Sequence, residues 1–191
     1  IEKTLTNWDE TVLGAEDLIM SLRESGKKIR FQTDNTLITR ERYAEKLKQM
    51  DIKASKKQII TSGYVTAQLL AEKDFKKAYV IGEEGLINEL EEEDIDFSED
   101  AENVVVGLDR QFSYNKLQRA KKILDKGGEM YICSSERTFR KSNGEKPHQL
   151  PVNKALKVFG DGKLTGKPSG HFRKVFKEYF SYYPENGLFV G

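Results

Sequence analysis

Polar residues follow several short apolar runs of this sequence, at positions where strand ends would gather them at one edge of a sheet. They are Glu2, Lys3 and Thr4 after Ile1; Thr33, Asp34 and Asn35 after IRFQ; Thr61 and Ser62 after QII; and Lys167 after KLTG. The hydroxyl and amides of Thr33 and the ammonium of Lys167 are groups that bind a phosphoryl dianion, while acidic groups in the loop after Ile1 and in a loop that would follow LFVG suit Mg²⁺. A Thr at a strand end is commonly a helix cap, and a Lys before Pro is commonly a surface residue. The order of these residues along the chain is therefore what favours a site for a phosphoryl group and magnesium.

The elements that must position these residues alternate between β-branched runs and amphipathic helical stretches. GAEDLIMSLRESG predicts a helix that ends at Gly26, KKIRFQT predicts a strand, and ITRERYAEKLKQMDI predicts a helix capped by Thr39. The same alternation continues through KAYVIG, NVVVGLD and MYICSS. This pattern is typical of an α/β protein with a largely parallel sheet.

Three further segments carry specific expectations. The stretch 137–151, RTFRKSNGEKPHQLP, is polar and punctuated by Pro and Gly, so we expect a long loop there, with His148 in it as a non-catalytic residue. The acidic run from Glu89 to Asp94 is interpreted as a solvated helix end. SGHFRKVFKEYFSYY predicts a helix with an aromatic core face, and GLFVG predicts a last strand.

Composition excludes several classes of protein. With 32 Lys and Arg against 31 Asp and Glu, the net charge of +1 gives no field that would attract nucleic acid or a membrane surface. The apolar runs are too short for a membrane span, which needs about 20 residues. The single Cys133 excludes an intramolecular disulfide, and its apolar strand predicts a buried, inert thiol. We therefore expect a cytoplasmic protein.

Seven segments together resemble one enzyme superfamily. In chain order they are FQTDNTLITRERYAEKL, ITSGYVTAQLL, AYVIGEEGLINEL, VVVGLDRQFSYNKL, SSERTF, LTGKPSGHF and GLFVG. The chain resembles the haloacid dehalogenase superfamily, in the branch of p-nitrophenylphosphatases, phosphoglycolate phosphatases and NagD-like proteins. The resemblance implies a Rossmann-like parallel sheet core with an inserted α/β cap domain, the core spanning residues 1–75 and 160–191 and the cap residues 76–159.

The resemblance also implies roles for individual residues. Glu2 matches the family's acid/base Asp, which is also a metal ligand, and Lys3 stands in place of a Gly. Thr33 matches the hydroxyl that binds the phosphoryl group, and Lys167 matches the lysine that offsets charge around it. Substrate contacts are implied for Thr4, Asp34 and Asn35 in the core, where Asp34 replaces a more usual Asn, and for Ser135, Glu136 and Arg137 in the cap, where relatives usually carry Asn-Pro-Asp.

Two of the family's residues would lie just beyond this sequence. The nucleophilic Asp would directly precede Ile1, and a magnesium-binding Asp would directly follow Gly191. The family's first strand is central to its sheet, and its omission would leave buried backbone groups unpaired, at about 1 to 3 kcal/mol each. We therefore expect either that the sequence is an excerpt of a longer chain or that another segment supplies the strand.

These observations leave three hypotheses. The first is a magnesium-dependent phosphatase that hydrolyses a small phosphorylated metabolite through an aspartyl-phosphate, with a homodimer as an option suggested by relatives. The second is a catalytically impaired pseudo-phosphatase that serves as a binding or scaffold module, suggested by Glu2, Lys3 and the altered cap segment. The third, a plain nucleotide-binding Rossmann protein, fits poorly because no G-x-G-x-x-G follows a strand.

Overall fold

The computed structural model describes residues 1, 4–7, 10–141, 144–181, 187 and 190. Over these ranges, strands and helices alternate along the chain as the sequence pattern predicts. Leu188, Phe189 and Gly191 of the predicted last strand, and the predicted acid/base residue Glu2, lie outside the described residues.

The helices begin where the sequence offers caps. Thr39 accepts a hydrogen bond from Arg42 N at 3.2 Å, as its predicted capping role requires, and Ser113 and Ser169 cap later helices in the same way. The helices are α1 Ala15–Glu24, α2 Arg40–Lys48, α3 Ser62–Glu72, α4 Glu84–Glu91, α5 Tyr114–Leu124, α6 Leu150–Leu156 and α7 Gly170–Phe180, with a 3₁₀ turn at Lys56–Gln58.

The strands are short and belong to four sheets. They are β1 Thr6–Asn7, β2 Glu10–Thr11, β3 Phe31–Thr33, β4 Ile59–Thr61, β5 Lys77–Ile81, β6 Asp96–Phe97, β7 Asn103–Val106, β8 Glu129–Ile132, β9 Thr138–Lys141, β10 Gly144–Pro147 and β11 Gly162–Leu164.

The largest sheet is parallel and carries helices on both faces. Its order is β11-β8-β7-β5-β6, and every pairing in it is parallel. Side chains of α5 and α6 pack on one face, and side chains of α3 and α4 pack on the other. This cover on both faces explains why the three valines of β7, all buried, follow one another without alternation with polar residues.

A second parallel pair carries the first predicted site residue. Strands β3 and β4 align so that Thr33 lies opposite Thr61. Side chains of α1 and α2 pack with β3, and the aromatic face of α7 packs with β4 and α3, as predicted. Both parallel sheets therefore direct their strand ends toward loops that contact each other.

Two expectations about local structure are wrong. The range 137–151 is not one long loop, because it contains the antiparallel hairpin of β9 and β10 and the first turn of α6. Its polar composition conceals the strands because they lie at the surface, with Phe139 contacting the buried His148 edge-on at 5.9 Å. The acidic run is not wholly solvated either: Glu89 is buried with 1% of its surface exposed.

The division into core and cap stays a prediction. The two parallel sheets are separate, which agrees with two units, but strand β11 is hydrogen-bonded to β8 in the larger sheet. A boundary at residue 160 would separate this strand from its partner, so we propose moving the second boundary beyond Leu164.

Candidate active site

Thr33 ends β3 inside a tight, self-bonded turn. Its Oγ1 accepts a hydrogen bond from Asn35 N at 3.1 Å, and Asn35 Oδ1 accepts one from Leu37 N at 2.9 Å. Thr33 and Asn35 are both buried. Short polar side chains that bond to the main chain two residues on are typical of such turns. The turn fixes the segment on which Thr33, Asp34 and Asn35 stand.

Lys167, which lies 133 residues later, meets this turn. Its Nζ is 3.2 Å from Asp34 Oδ2, and its main-chain N–H donates to Asp34 Oδ1 at 3.3 Å. Burial raises the pKa of Asp34, and Lys167 opposes that effect. The structure thus brings together two predicted site residues that are remote in sequence.

The loop that carries Lys167 is held by close packing. A Cβ built on Gly166 would lie 1.8 Å from Cys133 O, so only glycine fits between β8 and the loop. The preceding Thr165 donates from Oγ1 to Ile132 O at 3.0 Å and lies 2.6 Å from Thr66 Oγ1. These contacts fix the position of Lys167 relative to the end of β8.

Two hydroxyl side chains of α3, those of Ser62 and Thr66, help to hold the turn after β3 in place. Ser62 Oγ donates to Asp34 O at 2.9 Å, and Thr66 Oγ1 donates to Ser62 O at 2.7 Å. Thr66 is fully buried and also lies 3.3 Å from Cys133 Sγ. Ser62 stood among the polar strand-end residues, whereas Thr66 was missed because a Thr one helical turn further on carries no distinguishing pattern.

The turn after β3 also contacts the end of β7. Thr36 Oγ1 accepts a hydrogen bond from Leu108 N at 2.9 Å, and a Cβ on Gly107 would lie 2.7 Å from that oxygen. The strand ends of both parallel sheets therefore meet at this turn, which is where ligands bind in open α/β sheets.

The predicted cap residues lie at the end of β8 with different exposures. Ser135 and Arg137 are exposed, and Glu136 is half-buried. Ser134 Oγ accepts from Glu136 N at 3.1 Å, and Glu136 lies close enough to Asp34 to contribute to raising its pKa. Over the described ranges, neither Ser135 nor Arg137 is hydrogen-bonded through its side chain to Asp34 or Lys167.

The beginning of the chain runs beside β3. The main-chain nitrogen of Ile1 donates to Gln32 O at 2.5 Å, and Thr4 N donates to Ile1 O at 3.3 Å. Thr4 is half-buried near this strand. Glu2, the predicted acid/base and metal ligand, is outside the described residues. Within the described part of the chain, no three acidic, His or Cys side chains form a group that could hold a metal ion.

A buried arginine cluster joins four helices close to the site. Arg40 Nε donates to Glu89 Oε1 at 2.8 Å, Nη2 donates to Glu92 Oε2 at 3.0 Å, and Nη1 donates to Tyr179 Oη at 3.0 Å. The guanidinium also stacks over Tyr64, 4.0 Å from the ring centroid. Arg40 therefore links α2, α3, α4 and α7.

The carboxylate in this cluster is only partly satisfied. Glu89 Oε2 is buried and has no hydrogen-bond partner among the residues that the structure describes. Burial raises the pKa of Glu89 to about 7, although Arg40 pulls it in the opposite direction. No sequence signal identified this pair, because its two members are 49 residues apart and each belongs to a charged helical segment.

Comparisons with known proteins agree with this architecture. The haloacid dehalogenase-like hydrolase family matches residues 2–96. The 5'-nucleotidase YutF of Bacillus subtilis is 31% identical over 172 residues, which cover 85% of this chain and 67% of that protein. The chloroplastic phosphoglycolate phosphatase 1A of Arabidopsis thaliana is 30% identical, over 58% of this chain and 37% of its own length.

A solved structure supports the fold. The p-nitrophenyl phosphatase of Archaeoglobus fulgidus superposes with a TM-score of 0.86 at 25% identity, covering 95% of this chain and 72% of that one. The chain is an α/β protein with parallel sheets, and the strand ends of these sheets meet at the turn after β3. It belongs to the haloacid dehalogenase-like hydrolases, which confirms the resemblance, the fold class and the expectation of a hydrolase. No helix in the described part of the chain has the length and apolarity to cross a membrane.

Proposed function

We propose that this protein is a magnesium-dependent phosphomonoesterase that hydrolyses a small phosphorylated metabolite through an aspartyl-phosphate intermediate. One observation carries the proposal: the ammonium of Lys167 lies at the turn after Thr33, 3.2 Å from Asp34. A cation at the turn that carries a strand-end hydroxyl suits the stabilisation of charge on a transferring phosphoryl group. The phosphatase names of the matched proteins support the same class of reaction.

The proposed chemistry has two steps. The Asp expected before Ile1 attacks phosphorus, so a carboxylate oxygen–phosphorus bond forms while the ester oxygen–phosphorus bond breaks and the leaving group takes a proton from Glu2. Water, deprotonated by Glu2, then attacks phosphorus, so a water oxygen–phosphorus bond forms while the carboxylate oxygen–phosphorus bond breaks, which releases inorganic phosphate and regenerates the free Asp carboxylate. Thr33 and Lys167 bind the phosphoryl oxygens, and Lys167 offsets the negative charge that accumulates there.

Magnesium enters the proposal through the family. The residue expected to bind it in this chain, Glu2, lies outside the described residues. A Mg²⁺ ion held there would supply positive charge against the phosphoryl oxygens. The cytoplasmic location and the homodimer also stay predictions.

The test is a hydrolysis assay on the full-length protein with p-nitrophenyl phosphate and a panel of phosphorylated metabolites, with and without Mg²⁺. Lys167→Ala is expected to lower kcat/KM by about 100-fold, since removal of one charge-stabilising group costs about that much. Lys163→Ala is the matched control, because Lys163 lies on β11 with an exposed side chain paired to Glu129.

Two outcomes would count against the proposal. Absence of hydrolysis across the panel, with Mg²⁺ present, would refute the phosphatase function. Hydrolysis that survives Lys167→Ala as well as it survives Lys163→Ala would refute the assignment of the site while leaving the function in place.

A further inference from the structure

Asp34 is an unusual neighbour for a phosphate-binding lysine. Its carboxylate contacts Lys167 twice, through Nζ at 3.2 Å and through the main-chain N–H at 3.3 Å. Its own carbonyl oxygen is fixed by Ser62 Oγ at 2.9 Å. The ion pair is therefore formed by a carboxylate whose backbone is held in place, and Asp34 is the less exposed partner, at 13% against 36% for Lys167.

The carboxylate and a phosphate group require the same donors. A phosphoryl dianion bound by Lys167 would lie next to Asp34, and two anions that share one ammonium repel each other strongly in a partly buried site. Glu136 adds negative potential on the same side. An Asn in this position would add no charge and would offer an amide N–H.

We propose that Asp34 is a specificity-determining residue that competes with free phosphate for the ammonium of Lys167. This competition weakens the binding of inorganic phosphate. This inference deepens the proposed function and rests on it. The consequence for the reaction is that the product dianion leaves readily, because Asp34 takes back the ammonium when phosphate departs. The substrate then depends on contacts outside the phosphoryl group for its affinity.

The experiment measures inorganic phosphate binding to the full-length protein by titration calorimetry. Asp34→Asn is expected to tighten the Kd by about tenfold, which corresponds to about 1.4 kcal/mol of repulsion removed. Asp125→Asn is the matched control, because Asp125 is an exposed carboxylate that also pairs with a lysine, Lys121. Asp34→Ser makes the same change of charge with a smaller side chain, should the Asn variant fold poorly.

A double variant tests whether the effect acts through Lys167. In the Lys167→Met background, Asp34→Asn is expected to give a gain of less than twofold, because the competition for the ammonium is gone. A Kd in Asp34→Asn equal to or weaker than that of the unaltered protein would overturn the inference. So would a tenfold gain that persists without Lys167, or an absence of phosphate binding in both proteins.

The hydrolysis assay on the same variants separates this inference from the proposed function. The Asp34→Asn variant is expected to be inhibited more strongly than the unaltered protein at a given phosphate concentration, while it still turns over p-nitrophenyl phosphate. Turnover with unchanged phosphate inhibition refutes the role of Asp34 alone, whereas loss of turnover in every protein, including the unaltered one, refutes the phosphatase function.

Discussion

The buried carboxyl of Glu89 makes the stability of this protein depend on pH. Burial raises its pKa from the ordinary 4.5 to about 7 despite the ion pair with Arg40. A carboxyl with a higher pKa in the folded state keeps its proton longer when folded than when unfolded. As the pH rises from about 4.5 to about 7, the unfolded chain ionises first, and the free energy of unfolding falls.

The size of the effect follows from the same values. A tenfold change in proton affinity corresponds to about 1.4 kcal/mol, so a pKa of about 7 in place of 4.5 lowers the free energy of unfolding by about 3 kcal/mol once the pH exceeds 7. Glu89→Gln removes the titrating group while its amide oxygen can still accept from Arg40 Nε. The variant should therefore lack this part of the pH dependence.

The assay is urea unfolding of both proteins at pH 5 and at pH 7.5. Between these pH values, the unaltered protein is expected to lose about 2 kcal/mol relative to Glu89→Gln, because part of the loss has already occurred at pH 5. Glu84→Gln is the control, because Glu84 lies on the same helix and also pairs with an α2 arginine, Arg42, but at the exposed surface. Parallel pH profiles for the unaltered protein and Glu89→Gln would refute the argument that burial controls this carboxyl.

Three further predictions concern the support beneath Lys167. Gly166→Ala should lower kcat/KM by about 100-fold, because the added Cβ at 1.8 Å from Cys133 O must displace the loop; an unchanged kcat/KM would contradict the packing argument. Thr66→Val should lower the free energy of unfolding by about 1 to 3 kcal/mol, measured by urea unfolding, while Thr66→Ser retains the bond to Thr165 and most of the stability. Cys133, fully buried with its pKa raised to about 12, should resist iodoacetamide until urea unfolds the protein, and mass spectrometry would detect any earlier labelling.

The sequence predicts the features that depend on local pattern. Thr33 and Lys167 were identifiable because each follows a short β-branched or apolar run, and parallel strands place such ends at one edge. Strands β3 and β11 lie in different sheets, however, so the approach of Lys167 to Asp34 depends on how the two sheets contact each other, which the local pattern does not predict.

What the sequence could not predict depends on partners remote along the chain. The sequence around Glu89 is acidic and typical of a solvated helix end. Its burial depends on the ion pair with Arg40 of another helix, which offsets the cost of removing the carboxylate from water. The hairpin of β9 and β10 was missed because surface strands lack the apolar alternation that identifies a half-buried strand. The Thr66 and Thr165 pair joins hydroxyls 99 residues apart, with no motif at either end.

The hairpin also indicates where this fold can accept changes of length. Its two strands pair with each other and form a sheet separate from the five-stranded one, directly after Glu136 and Arg137. Insertions or deletions there would leave every ladder of the parallel sheet intact, unlike changes at Gly85, where a Cβ would lie 2.5 Å from Ile38 O. Changes of length should therefore be tolerated in the hairpin, whereas the contact between α4 and the turn after β3 should be kept fixed.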